Sequence, residues 1–483
     1  MRIATKTLGA SALVALAAAC GDPVVAPGRP TAAAPAAGTI APALLAQLPA
    51  VSTERVEIIV NFDEASTTTD AVLAAARTLG VSVRPFKHLS MFGALATTAQ
   101  VRALAGLPGV TGVYANEREP LLMYESVRTI QADAVHRDLG VTGKGVGVAI
   151  MDSGVNADNP GLEFGTKVVQ NVKFTGDLGK LYCEPTDPCL RNDDTYVENL
   201  RNTDNSSGHG THVAGTVAGT GANSEGNRYA GVAPGAHLVG LAVGEGLSII
   251  NIMVLAATDW LIDNKAKYNI QIVNNSWGGT GAFDPNDPIN EAMRVLHAKG
   301  VTVVFAAGND GPAQNTMNRR SVAPWVISVA AGCKWGVDDP TNSAASCGDG
   351  RANMLANFSS RGIPGDPLQH PDITAPGVRI VSTRSYTGTA LNVLGAPSDA
   401  RLCAVPTESL AHYTCSSGTS MAAPHIAGVL ALMEEASKGT LTPDAGLAAL
   451  QGTATAMPGY AEWEVGAGYV NALAAVKRVT AKK

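Results

Sequence analysis

Beyond about Tyr124 the chain alternates between short runs of apolar residues and longer stretches whose apolar positions recur at helical spacing. Gly145–Met151, His237–Val243, Ile270–Asn275, Val301–Ala307 and Trp325–Ala331 are the predicted strands. They are almost continuously apolar, the pattern of parallel strands buried on both faces. Ser248–Lys265 and Pro288–Lys299 are predicted helices between them, and further helices follow Ser420 and start at Thr442. This succession predicts an α/β fold, a doubly wound parallel sheet whose ligands sit beyond the carboxyl ends of its strands.

Upstream the pattern is different. Val56–Phe62, Val81–Arg84, Phe92–Thr97 and Val110–Tyr114 are predicted strands, with helices over Asp70–Leu79 and Ala99–Leu107. The order βαββαβ predicts a small α+β unit of ferredoxin-like, split βαβ topology. Before it, Gly21 to about Pro49 is rich in Pro and Ala without a sustained period and is expected to be a tether. The expected units are therefore 1–20, 21–52, 53–124 and 125–483.

Arg2 and Lys6 precede an uncharged run, Leu8–Ala19, too short for the about 20 residues that span a bilayer but suited to export. The run ends in Ala17-Ala18-Ala19-Cys20, which resembles a bacterial lipoprotein cleavage box; by that resemblance Cys20 is lipidated. The other reading is a signal peptide cut after Ala-x-Ala. Both place the protein outside the cytoplasm, secreted or held at a bacterial envelope, with the membrane touched only through a lipid at Cys20.

The chain has 483 residues and a formal net charge of −6, with no basic stripe, which argues against a nucleic-acid partner. Fifty-two glycines against 8 phenylalanines suit tight packing and close backbone approach. Of 7 cysteines, setting Cys20 aside leaves an even number for an oxidising compartment. Loop length favours Cys183–Cys189, Cys333–Cys347 and Cys403–Cys415 among the about fifteen pairings that six cysteines allow.

Three segments carry chemistry. "GVGVAIMDSG" brings Asp152 to the end of a strand, "SSGHGTHVAGTVAG" puts His209 at the start of a helix, and "SSGTSMAAPHIAG" puts Ser420 at the start of another. A serine hydroxyl is a weak nucleophile near neutral pH and needs a base within hydrogen-bond reach. His209 can take that proton and return it to a leaving amine, while Asp152 holds the imidazole tautomer. A helix N-terminus adds unpaired N–H groups beside the reacting oxygen. Pro424 is expected in the first helical turn, where its missing N–H costs nothing.

In these motifs and in their order Asp, His, Ser, the chain resembles the subtilisin-like serine proteases. The resemblance implies a serine endopeptidase acting on polypeptides through the triad Asp152, His209 and Ser420, with no cofactor required and a monomeric state. "VTVVFAAGNDGPA" resembles the family segment whose asparagine, here Asn309, donates to the oxyanion. "NNSWGG" implies one substrate-binding edge at Ser276, Trp277 and Gly278, and "GEG" a second at Gly244 and Gly246. By position, and by "LAGLPGVTGVYAN", the small α+β unit resembles the family's inhibitory propeptide. Self-cleavage is then expected within Leu121–Glu125, beside the apolar run Leu121–Tyr124.

His212, three positions after His209, suits packing better than a metal pair, and His425 is expected to be structural. "HPDITAPG" at His370–Gly377 is expected to shape the end of the sheet. Calcium commonly stabilises members of this family; no Asp-rich loop of EF-hand spacing stands out, so structural calcium is left unassigned. Asp152 and His209 are 57 positions apart, wide for the compact bacterial members. The added length holds Cys183 and Cys189, and a second insertion, about Tyr386–His412, precedes Ser420. Both are placed to affect access to a cleft.

Overall fold

The computed structural model describes residues 38–48, 53–116, 118–120, 126–175, 196–334, 355–387, 389–393, 399–400 and 403–480. Cys20, Cys183, Cys189, Cys347 and the window Leu121–Glu125 lie outside them.

Along Gly147–Asp152, Val148 and Ile150 pack into one apolar cluster while Ala149 and Met151 pack into another. A strand apolar at every position thus serves two layers at once, which is why period-two alternation is missing from its sequence. Eight strands share its sheet, in the order Ile373–Pro376, Ile327–Gly332, Thr302–Ala306, Ile270–Asn275, Gly147–Asp152, His237–Ala242, Val168–Phe174 and Tyr196–Val197. All adjacent pairs are parallel except the last. Chain order reverses around Gly147–Asp152, and a crevice opens at such a switch point beyond the strand ends. The fold is the doubly wound α/β sheet that the sequence predicts.

Helices cover both faces. His209–Ala218 and the long Thr419–Ser437 lie in the first cluster, while Asn251–Asn264 and Pro288–Ala298 lie in the second. The start of Pro288–Ala298 follows from its sequence. Pro288 holds the first helical position, where no N–H is needed, and the Asp287 carboxylate accepts from the Ile289 N–H at 2.9 Å.

Three details depart from expectation. The helix predicted from Ser248 begins at Asn251, because Ser248–Ile250 is drawn into an antiparallel sheet between Gly244–Glu245 and Arg118–Pro120. Val168–Phe174 is a sheet strand that its polar residues concealed. Within the stretch expected to be a tether, Thr39–Ile40 pairs with Val110–Ala115 and Pro42–Gln47 forms a helix that buries Leu44. One strand bridge and one and a half turns are too short to leave a period in the sequence.

The upstream unit runs βαββαβ through Arg55–Phe62, Thr69–Thr78, Ser82–Pro85, Met91–Thr97, Thr98–Ala105 and Val110–Ala115. Its sheet lies against the larger body, where Ile59, Phe86, Leu89 and Met91 join the cluster formed by Asn251–Asn264 and Pro288–Ala298. Polar contacts frame that patch. The Lys87 and His88 N–H groups donate to Asp259 at 2.6 and 3.0 Å, and Lys87 Nζ meets Asp263 at 2.6 Å. Asn116 Oδ1 accepts from the Ile252 N–H at 2.7 Å, so this unit caps a helix of the larger one.

Candidate active site

Asp152 is the last residue of its strand and fully buried. Its Oδ1 accepts from the Ser153 N–H and from His209 Nδ1, each at 2.7 Å. His209 opens its helix and is 1% exposed. A carboxylate and an imidazole removed from water at this distance fix the ring's orientation and leave the Nδ1–H tautomer in place. The close approach depends on Gly210: a Cβ there would lie 2.1 Å from the Gly154 carbonyl oxygen and 3.1 Å from the Asp152 Cβ.

Ser420 is the second residue of Thr419–Ser437. Its hydroxyl donates to the Ser276 carbonyl at 2.7 Å, and the Ser276 hydroxyl donates back to the Ser420 carbonyl at 2.7 Å. The second bond corrects the expectation for Pro424. That proline is the sixth helical residue, beyond the first turn, and the N–H it lacks would have served the Ser420 carbonyl. Ser276 serves it instead. Ser276→Ala is expected to leave that buried carbonyl unpaired and to cost about 1–3 kcal/mol in denaturant unfolding; a change below about 0.5 kcal/mol would show that the helix closes over the gap unaided.

Asn309 follows the strand Thr302–Ala306 and faces the same helix end. Its Oδ1 accepts from both the N–H and the hydroxyl of Thr419, each at 2.9 Å, and Thr419 Oγ1 in turn accepts from the Gly308 N–H at 3.1 Å. Pinning the oxygen turns Nδ2, which makes no hydrogen bond among the described residues, the other way. The structure therefore shows two local arrangements, a His–Asp pair where a strand end meets a helix start, and a hydroxyl at a helix N-terminus beside an oriented amide.

The subtilase family matches residues 143–470, more than half of the chain. The chain belongs to the subtilase family. Serine protease AprX of Bacillus subtilis is 32% identical over 352 residues, spanning 71% of this chain and 68% of that protein. An extracellular protease of Xanthomonas campestris is 34% identical over 348 residues, 69% of this chain and 52% of that one. Among solved structures, fervidolysin from Fervidobacterium pennivorans, a keratinolytic enzyme related to subtilisin, superposes with a TM-score of 0.62 at 24% identity; the match covers 89% of this chain and 62% of fervidolysin. The protein is a serine-type peptidase.

In this subtilase the two expected substrate edges are built differently. Gly244–Glu245 is the outer strand of its three-stranded sheet, and Arg118–Pro120 takes the opposite edge. The Gly244 carbonyl accepts from Lys173 Nζ at 2.6 Å and the Gly246 carbonyl from Ser206 Oγ at 3.1 Å. Burial lowers the Lys173 pKa. On the other side the Trp277 side chain is wholly buried, its indole N–H donating to the Met151 carbonyl at 2.7 Å and its ring packed edge-on against Phe305. Only its backbone can face a ligand. At Gly278, with φ +135°, a Cβ would stand 2.3 Å from the Asn318 side chain.

The two further histidines of these motifs, His212 and His425, are internal. His212 Nε2 donates to the Ile380 carbonyl at 3.0 Å, and burial pushes its pKa down to about 3. His425 Nδ1 donates to the Met421 carbonyl at 2.6 Å while Nε2 accepts from the Ser126 N–H at 2.9 Å, and burial pushes its pKa down to about 4. Ile373–Pro376, from "HPDITAPG", is the strand at one edge of the large sheet. Among the described residues no group of three or more His, Cys, Asp or Glu is placed to hold a metal ion, so no calcium site is assigned. Among them, too, no helix is long and apolar enough to cross a membrane.

Cys403 and Cys415 form a disulfide, and Cys333 is also disulfide-bonded. The Cys403–Cys415 bridge ties the second insertion to the strand Tyr413–Ser416, just ahead of Ser420. The insertion reaches the other way as well: the Ala390 and Leu391 N–H groups donate to the Ser206 and Ser207 carbonyls at 2.9 and 3.0 Å.

Sequence reasoning missed Thr419 and Asp204. Thr419 stood inside a quoted motif, but its neighbour took the attention. Asp204 is fully buried five residues before His209. Its only signal was an acidic residue shortly before a helix N-terminus, a common enough pattern to pass unread.

Proposed function

We propose that this subtilase is an exported endopeptidase, made as a zymogen, in which Asp152, His209 and Ser420 form the catalytic triad. The buried 2.7 Å bond from His209 Nδ1 to Asp152 carries the reading, because it commits the ring's other nitrogen to act as base. Ser420 would pass its proton to His209 on attacking the substrate carbonyl, and the imidazolium would return it to the leaving amine. The Ser420 hydroxyl must turn from the Ser276 carbonyl to do this, a rotation about one side-chain bond. Asn309 Nδ2 and the Ser420 N–H would receive the oxyanion.

An extended substrate would lie between the Gly244–Gly246 and Ser276–Gly278 edges, meeting mainly backbone there. The upstream unit serves as inhibitor and chaperone. That role is supported by its apolar patch on the helices Asn251–Asn264 and Pro288–Ala298, its grip on Asp259 and Asp263, and the pairing of the strand Arg118–Pro120 with Ser248–Ile250. Cleavage within Leu121–Glu125 would free the peptidase from anything anchored at Cys20.

A fluorophosphonate probe tests the centre directly. The expected result is one adduct, mapped by peptide mass to Ser420, formed as hydrolysis of a doubly end-blocked peptide is lost. An adduct elsewhere, or full hydrolysis of that peptide by the labelled protein, would sink the assignment. Asn309→Ala is expected to lower kcat by about 10²–10³ with little change in KM, the size known for the side-chain donor of a subtilisin. Steady-state kinetics would check it, and an unchanged kcat would remove Asn309 from the site.

A further inference from the structure

Asp204 is a second carboxylate in the same buried region, and the triad does not use it. Its Oδ1 accepts from the Gly208 N–H at 2.9 Å and from Ser153 Oγ at 3.2 Å. Its Oδ2 accepts from the N–H and hydroxyl of Thr211 at 3.1 and 2.6 Å. Both hydroxyls are oriented as donors by their other bonds, since Ser153 Oγ accepts from the Gly210 N–H and Thr211 Oγ1 from the Asn156 N–H, each at 2.9 Å. Four donors converge on one carboxylate, so the arrangement suits the ionised form. These donors belong to Gly208 and Thr211, on either side of His209, and to Ser153, next to Asp152. Burial, with the nearby Asp152 charge, holds the Asp204 pKa above the ordinary carboxylate value, against the bonds from Thr211 and Gly208 that favour ionisation.

We propose that Asp204 is a positioning residue for the catalytic centre: it fixes the helical turn that presents His209, and its charge favours the imidazolium formed there during turnover. The proposal rests on the triad assignment above. Asp152 faces it from the strand end, His209 and His212 stand on the helix it caps, and Lys173 approaches from Val168–Phe174 with Glu245 beyond. Lys173 is the cation of this group, and its Nζ is held at 2.6 Å by the Gly244 carbonyl. The Asp204 backbone is anchored too. Its carbonyl accepts from Ser385 Oγ at 3.1 Å and Thr387 Oγ1 at 2.9 Å, at the start of the second insertion.

Wild type, Asp204→Asn, Ser153→Ala, Ser153→Thr and Ser420→Ala are compared on the doubly blocked peptide across pH. Asp204→Asn is expected to lose kcat on the order of 10–100-fold, with KM within about twofold. The acid limb of its kcat/KM profile should move to lower pH: the limb reports protonation of the base, and losing a nearby negative charge makes that protonation harder. Ser153→Ala should lower kcat in the same direction and Ser153→Thr, which keeps the hydroxyl, should restore it. Wild-type kcat in Asp204→Asn, or a fall with the acid limb unmoved, overturns the proposal. Where circular dichroism shows that Asp204→Asn does not fold, the Ser153 pair decides; wild-type kcat in Ser153→Ala, or no recovery in Ser153→Thr, overturns it. Undiminished activity in Ser420→Ala would defeat the triad assignment instead, a result separable from the others.

Discussion

Ser420→Ala is expected to lower kcat about 10⁶-fold, the scale of losing the nucleophile in a subtilisin, and to leave the chain at its uncut length. Nothing else in the site can take over. His209 is bound to Asp152 through one nitrogen, and the hydroxyl of Thr419 is engaged with Asn309 and Gly308. Intact mass and hydrolysis of the doubly blocked peptide, measured side by side with wild type, separate three outcomes. A mutant that neither shortens nor hydrolyses supports self-processing by this serine. One that shortens normally but is inactive shows that another protease matures the chain. One that hydrolyses like wild type defeats the triad assignment.

Asp152→Asn is the next largest effect, a fall in kcat of about 10⁴ with the fold retained. The oxygen of an amide could still accept from the Ser153 N–H and from the ring, so the geometry can survive while the negative charge opposite the imidazolium is lost. An amide turned the other way would present N–H to Nδ1 and reverse the tautomer, removing the base from Nε2. Both routes lower kcat and spare KM. Steady-state kinetics beside a thermal melt would check this, and a loss smaller than about tenfold would mean that Asp152 acts only as packing.

Most of the large sheet was legible because its strands are buried on both faces and carry few polar residues. Ile270–Asn275 was bounded to the residue, and the other four predicted strands to within two. Val168–Phe174 was not legible, since Gln170, Asn171 and Lys173 break the apolar run. Each is spent on the loops around the site: Asn171 on the Val155 carbonyl and Thr203, Gln170 on Asn199, Lys173 on Gly244. A strand that anchors loops looks polar when read alone. The short strand before Asn251 was hidden for the opposite reason, because Ser248–Ile250 continues a helix-like pattern and only its two distant partners pull it straight.

Asp152, His209, Ser420 and Asn309 were singled out by residue type and neighbours; the fold pairs His209 with Asp152 and sets Asn309 against Thr419, next to Ser420. What stayed out of view was the set of contacts that aim them. Thr419 holds Asn309, Ser276 fills the carbonyl freed by Pro424, and Asp204 gathers N–H groups on both sides of His209. These partners lie 110, 144 and 4 to 7 positions apart in sequence. Separation of that range leaves no spacing rule to read.

The two residues of the His–Asp pair and the serine ride on the termini of regular elements whose bodies are clamped in the core; Thr419–Ser437 is buried through almost all of its 19 residues. The second insertion is attached outside that clamp, by a disulfide to the strand Tyr413–Ser416 and by backbone bonds to Ser206 and Ser207. It thereby joins the segment that leads into His209 to the strand that leads into Ser420, like a strap across two hinges. Shortening or exchanging it would pull on both helix starts at once, so its length and their alignment are tied together.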